Sequence, residues 1–188
     1  MNKKSELEKL EQEMLADKLL PLNSNLVFGE GDIDCKVLFI GEAPGAREDE
    51  LKRPFVGRSG QLLDKNLEKN GWKREEVYIT NIVKRRPPEN RDPLPDEIAA
   101  YKPYLTRQIK IIKPKIIVTL GRFSMNYFLP EAKISRDQGK IFKMGDYLLM
   151  PMFHPAAALR GTVAMNEFEK TFRKLPKLAE KAQELLSK

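Results

Sequence analysis

Two spacings of apolar residues alternate along the chain, and their order predicts its elements. Leu7, Leu10, Met14 and Leu15 recur at helical intervals among Glu and Lys, so residues 4–20 read as an amphipathic helix, stopped by Pro21. A loop or short edge strand around Leu26, Val27 and Phe28 follows. Val37, Leu38, Phe39 and Ile40 then form an unbroken apolar run ended by Gly41, the pattern of a strand buried on both faces of a parallel sheet. Ser59 reads as the N-cap of a helix over 61–70 with Leu62, Leu63 and Leu67 inward. The run VYITNIV at 77–83 predicts a second strand. Residues 95–113 read as a helix and 115–120 as a third strand, and a further helix ends near Leu129. Residues 134–144 are irregular, with a hairpin as one form they can take. YLLMPMF at 147–153 is a fourth strand whose Pro151 argues for an edge or a bulge. Residues 162–188 are helical, kinked or split by Pro176. Strands alternating with helices predict a three-layer αβα sandwich around a mainly parallel sheet, in one domain spanning 1–188.

Composition narrows the classes. At 188 residues the chain can bury a real core, and 34 Lys plus Arg against 27 Asp plus Glu give a net charge of +7. A basic balance favours a polyanionic partner, nucleic acid before an anionic membrane, although part of the excess lies in the terminal helices. The single cysteine, Cys35, excludes an internal disulfide and any all-cysteine metal site within one chain. It fits a reducing, cytoplasmic setting. No stretch has the apolar length of a membrane span, and the N-terminal KKSELEKLEQE lacks the apolar core of a signal peptide.

Chemistry is expected at the carboxyl ends of the strands, where open α/β sheets bind ligands. Three strands end in polar residues there: Glu42, Asn81 and His154, the last the sole histidine. Each has an ordinary reading as well. Glu42 sits in a strand-to-helix turn, Asn81 can satisfy backbone groups, and a lone histidine is more often structural. Phe55, in the Gly-rich RPFVGRSG, is either a lid on the core or a stacking platform for a ring. Lys84, Arg85 and Arg86 precede a stiff Pro-rich loop and either touch phosphates or are solvated. A rim with one acid, one amide, one imidazole and one aromatic can bind a flat polar ring.

Four segments in order, GEAPGARED, RPFVGRSGQLLD, NIVKRRPPENRDP and HPAAALR, resemble the family 4 uracil-DNA glycosylases of bacteria and archaea from about Val27 to Arg160. The resemblance implies a four-stranded parallel sheet inside the αβα sandwich. It also implies a monofunctional glycosylase that excises uracil from single- or double-stranded DNA by base flipping and hydrolysis. Glu42 and Glu48 match the acidic positions assigned to the hydrolytic water, and His154 the donor to uracil O2. Phe55 matches the stacking aromatic and Asn81 the amide that reads the uracil edge, with Ala43 and Gly45 in the same base pocket. Ser59, Lys84, Arg86, Ala157, Leu159 and Arg160 are the expected DNA contacts. A monomer with no membrane attachment is expected.

The departures concern a cofactor. Family 4 enzymes usually carry a [4Fe–4S] cluster on four cysteines. The third and fourth of those positions hold Arg85 and Tyr101 here, and no cysteine precedes Val27. The cluster and any metal are therefore expected to be absent, with Arg85 and Tyr101 filling the space under the N-terminal helix. Ala158 replaces a commonly larger Leu, so wedge insertion is either weaker here or falls to Leu159. The alternatives carried forward are a DNA-binding relative that has lost catalysis and a glycosylase preferring another deaminated base, such as hypoxanthine.

Overall fold

The computed structural model describes residues 2–187. Its sheet is built on four parallel strands: β2 (Val37–Gly41), β3 (Tyr78–Asn81), β4 (Ile116–Leu120) and β6 (Tyr147–Met152). Two short strands, β1 (Glu30–Gly31) and β5 (Phe142–Met144), extend it antiparallel at its two edges, giving the order β1-β3-β2-β4-β6-β5. The sheet therefore has six strands rather than the four expected. The added strands have two and three residues, too few for a periodic signal.

Apolar runs become strands here because both faces are covered. Val37 and Phe39 of β2 join the cluster that includes Leu63 and Leu67 of α3 (Arg58–Lys69), Phe168 and Phe172 of α8 (Thr162–Phe172), and Leu178 of α9 (Leu175–Ser187). Leu38 and Ile40, pointing the other way, join Leu7, Leu10 and Met14 of α1 (Lys3–Ala16) and Tyr101, Leu105 and Ile112 of α4 (Pro95–Ile112). Three layers result, and each fully buried Leu or Phe contributes about 1.5–3 kcal/mol of transfer free energy. Helix α1 ends at Ala16, four residues short of the expected stop. The last helix is split as expected, with Arg173 closing α8 and Pro176 in the first turn of α9.

Pro151 lies inside the sheet, not on an edge strand. Its carbonyl accepts from Gly139 N on the β5 side, beyond the last β5–β6 pair, Phe142↔Leu149. Its ring nitrogen faces the same way, so no ladder donor is missed. Between β4 and β5 lie α5 (Arg122–Phe128) and α6 (Ile134–Asp137), so the irregular stretch holds one helical turn before the β5–β6 hairpin. Short helices α2 (Ala46–Leu51) and α7 (Pro155–Ala158) follow β2 and β6. Each carries part of the site. Among the described residues no helix is long and apolar enough to cross a membrane.

Candidate active site

Strand order places the site. From β2 the chain crosses to β3 on one side and then to β4 on the other, so a crevice opens beyond the carboxyl ends of β2 and β4. A cavity of about 760 Å3 occupies this position, within the size range of small-molecule sites. It is lined by Glu42, Ala43, Gly45 and Glu48 from the loop and helix after β2, and by Phe55 and Ser59 before and within α3. Asn81 at the end of β3, residues 121–123 after β4, the Pro-rich loop, and His154, Ala157 and Arg160 after β6 also line it.

Strand parity brings the ring-binding groups to one face. Val37 and Phe39 face the α3 layer, so Gly41 does too, and Asn81 follows Val77 and Ile79 onto that same face. A Cβ on Gly41 would collide with Asn81 Oδ1 and press into the Phe55 ring. Only glycine lets these two side chains converge. Asn81 is buried, and its Oδ1 has no hydrogen-bond partner among the described residues. A buried acceptor left unpaired costs about 1–3 kcal/mol, so a ligand N–H delivered to it has a preformed partner. Phe55 holds φ +50°, a backbone conformation that costs a non-glycine residue about 1 kcal/mol or more. Its ring centroid lies 5.7 Å from that of His154, tilted by 32°.

His154 caps α7, and its Nδ1 accepts the Ala156 backbone N–H at 3.1 Å. The proton of the neutral ring is thereby assigned to Nε2, which is free to donate. Burial, reinforced by the Arg160 charge, lowers its pKa to about 4. Burial also raises the Glu42 carboxyl to about 7, against a backbone hydrogen bond from Phe123. Gly121, at φ +96°, gives Glu42 its space, because a Cβ there would strike Glu42 Oε1. Glu48 is used differently. Its Oε1 accepts from Val56 N at 2.9 Å and Gly57 N at 2.8 Å, tying down the segment that carries Phe55.

Several expected DNA contacts lie elsewhere. Lys84 is fully buried, donating to Thr80 Oγ1 and, at 2.6 Å, to Gln108 Oε1, so it cannot touch a phosphate from this position. Arg86 is half-buried, with Nε on Asn90 Oδ1 at 2.7 Å, and does not line the cavity. Ser59 lines the cavity but is not an N-cap; α3 begins at Arg58 after Gly57. Ala158 is buried in the core and Leu159 is exposed, so Leu159 is the apolar side chain available beside the cavity. Three lining cations escaped sequence reading, Arg58, Arg91 and Arg122. Arg58 and Arg122 are each the first residue of a helix directly after a glycine, the one signal the sequence offered for them, and Arg91 sits in the Pro-rich loop, paired with Glu97 at 2.6 Å. Arg122 pairs with Asp92 of the Pro-rich loop at 2.8 Å.

The sequence profile of the Uracil DNA glycosylase superfamily matches residues 28–176. The chain belongs to that superfamily. It is 44 % identical to the type-4 uracil-DNA glycosylase of Sulfurisphaera tokodaii over 92 % of this chain and 84 % of that protein. Identity to the type-4 enzyme of Saccharolobus solfataricus is 46 %, covering 84 % of this chain and 78 % of the relative. For the Thermotoga maritima type-4 enzyme it is 45 %, with 73 % of each covered.

The residues at the glycosylase cluster positions do not fit an iron–sulfur cube. The Tyr101 hydroxyl donates to Pro21 O at 2.7 Å, and Arg85 Nη1 donates to Ser24 O, so both tie the chain after α1 to the body of the domain. A cube is held by thiolates. The one thiol, Cys35, is buried, and burial pushes its pKa up to about 12. Among the described residues no group of three or more His, Cys, Asp or Glu side chains is gathered for a metal.

Proposed function

We propose that this protein is a single-domain, monofunctional uracil-DNA glycosylase that turns the uracil nucleotide out of DNA and hydrolyses the bond joining base to sugar. The observation that carries the reading is the buried, unpartnered Oδ1 of Asn81 beside the Phe55 ring. Uracil brings the matching group, an N3–H flanked by two carbonyls. Asn81 Oδ1 accepts from N3–H and its amide N–H donates to O4, while the ring stacks on Phe55.

The remaining groups act on the bond. As C1′–N1 breaks, the electron pair leaves with the base and negative charge grows on O2. The neutral Nε2–H of His154 donates to that oxygen, a bond stronger in the transition state than before it. Water adds to C1′, and its proton passes to the Glu42 carboxylate and on to the departing base. A carboxyl titrating at about 7 suits that role, because general bases work best near the operating pH. Glu48, already accepting two backbone amides, holds the Phe55 segment instead. Arg58, Ser59, Ala157, Leu159 and Arg160, at or beside the cavity mouth, form the proposed DNA contacts. Extrusion costs a few kcal/mol in a duplex and less in a single strand, so both are substrates.

The assay is uracil-containing oligonucleotide, single- and double-stranded, with alkali to cleave abasic sites. Cleavage at uracil is expected, without borohydride trapping, since no lysine among the described residues lines the cavity. No cleavage above control in either substrate overturns the proposal and leaves a DNA-binding relative. Release of hypoxanthine in preference to uracil leaves a glycosylase of another specificity. The proposal includes a monomeric, cytoplasmic protein without the iron–sulfur cluster: preparations should be colourless, and activity should survive a chelator. A brown protein carrying about four irons per chain, the content of a cube, overturns that part.

A further inference from the structure

We infer that Arg74 is a positioning residue for base recognition, holding Phe55 in its stacking conformation from outside the cavity. This rests on the reading of Phe55 as the platform for the flipped base. Arg74 opens the 3-10 turn Arg74–Glu76 before β3 and does not line the main cavity. Its guanidinium has five N–H donors, and its five hydrogen bonds match them. Nη2 donates to Pro54 O and Nη1 to Phe55 O at 3.1 Å, so the carbonyls on both sides of the Phe55 nitrogen-to-carbonyl unit are held by one group. The other three fix the guanidinium itself, Nε and Nη2 to Glu30 Oε1 at 2.9 and 2.8 Å and Nη1 to Asp64 Oδ1 at 2.7 Å.

Phe55 needs such a hold. Its φ of +50° is unfavourable for a bulky residue, so the segment relaxes unless its neighbours over-determine it. Arg74 grips the carbonyls of Pro54 and Phe55, and Glu48 grips the amides of Val56 and Gly57 just after them. The Phe55 carbonyl also packs on the α3 backbone at Gly60, where a Cβ would collide with it. An ion pair serving stability alone needs only Glu30 and Asp64. Spending two donors on the carbonyls flanking a strained aromatic directs the group at that ring. Lysine, with three donors on a flexible stem, cannot reproduce the fork.

Two measurements test this on the full chain. The first is a cycle of kcat and KM on uracil-containing single-stranded DNA for Arg74→Gln, Phe55→Ala and the double variant, with Arg74→Lys as a second probe if Arg74→Gln fails to fold. Arg74→Gln should lower kcat/KM about ten- to hundredfold, the scale of a lost base–aromatic stack, and the double variant should match Phe55→Ala. Losses that multiply, or wild-type kcat/KM in a variant that merely melts lower, overturn the inference. The second measurement needs no activity. The chain has one tryptophan, Trp72, so Phe55→Trp with Trp72→Phe gives a single indole at the platform. Adding Arg74→Gln should raise its quenching by acrylamide several-fold, and unchanged quenching overturns the inference. Raised quenching in a protein that releases no uracil keeps the positioning role and removes the glycosylase reading instead.

Discussion

The Nδ1 of His154 accepts the backbone N–H of Ala156, two residues further along the chain. That bond assigns the tautomer, and burial, which lowers the pKa to about 4, keeps the ring neutral at physiological pH. The imidazole is thus a fixed Nε2–H donor across the working range. We expect kcat to show no inflection near 6.5 from this group. His154→Ala should lower kcat about 10²- to 10³-fold, the usual effect of removing one donor to a developing oxyanion. Stability depends on pH where activity through this ring does not: the unfolded ring binds a proton below about 6.5 and the folded ring only near 4, so this contribution is lost as pH falls through that window. Melting temperatures of wild type and variant between pH 4 and 7 check it.

Glu42 titrates the other way. Its carboxyl is raised from 4.5 to about 7 by burial, so the folded protein holds a proton there that the unfolded chain releases. Stability from this group is present below pH 4.5 and is lost as pH rises through 7. Catalysis needs the carboxylate, so kcat/KM should climb with a slope of one up to about pH 7 and then level. Glu42→Gln should abolish that limb, lower activity about 10²- to 10⁴-fold, and gain stability relative to wild type at pH 8 but not at pH 4. A retained acid limb in the Gln variant assigns the titration to another group.

Asn81 sets what the cavity reads. Truncation to Ala removes both the acceptor for N3–H and the donor to O4, and uracil release should fall about 100-fold or more, since sites built on hydrogen bonds lose heavily when one partner is missing. Asn81→Asp presents acceptors only, which suit the exocyclic amine of cytosine, so release of cytosine from DNA should become measurable while uracil release drops. Uracil release by Asn81→Ala at the wild-type rate removes this residue from the site.

The legible parts of this molecule are those whose partners are close in sequence or repeated along it. The run Val37–Ile40 reads as a doubly buried strand because each of its residues is apolar, and Glu42, Asn81 and His154 read as rim residues because each stands at the end of such a run. Arg74 was invisible, since its partners at Glu30, Pro54, Phe55 and Asp64 are ten to forty-four residues away. Glu48 was legible as an acid near the site but not as a clamp on Val56 and Gly57. Its loop folds back over eight or nine residues, a turn with no periodic signal.

Lys84 is the clearest case of a charge misread as surface, and it supports a prediction of its own. Burial without a carboxylate partner pushes the amine well below its usual value. Its hydrogen-bond partners are Thr80 and Gln108, and the nearest ionisable neighbour in that network is the Tyr78 hydroxyl, which accepts from Gln108 Nε2. Between the depressed folded value and 10.5 the unfolded chain carries the proton and the folded chain does not. Stability therefore rises with pH across that window, by up to about 1.4 kcal/mol per pH unit for one proton. Lys84→Met should flatten that slope when guanidinium midpoints are compared at pH 7, 8 and 9. The variant should also leave the salt dependence of DNA binding unchanged, because a buried amine displaces no counterion. Arg160→Ala, at the exposed mouth of the cavity, should reduce the log–log salt slope by about one if that side chain neutralises a phosphate. Equal slopes for Arg160→Ala and wild type, with a reduced slope for Lys84→Met, would reverse the two assignments and mean that Lys84 swings out to bind DNA.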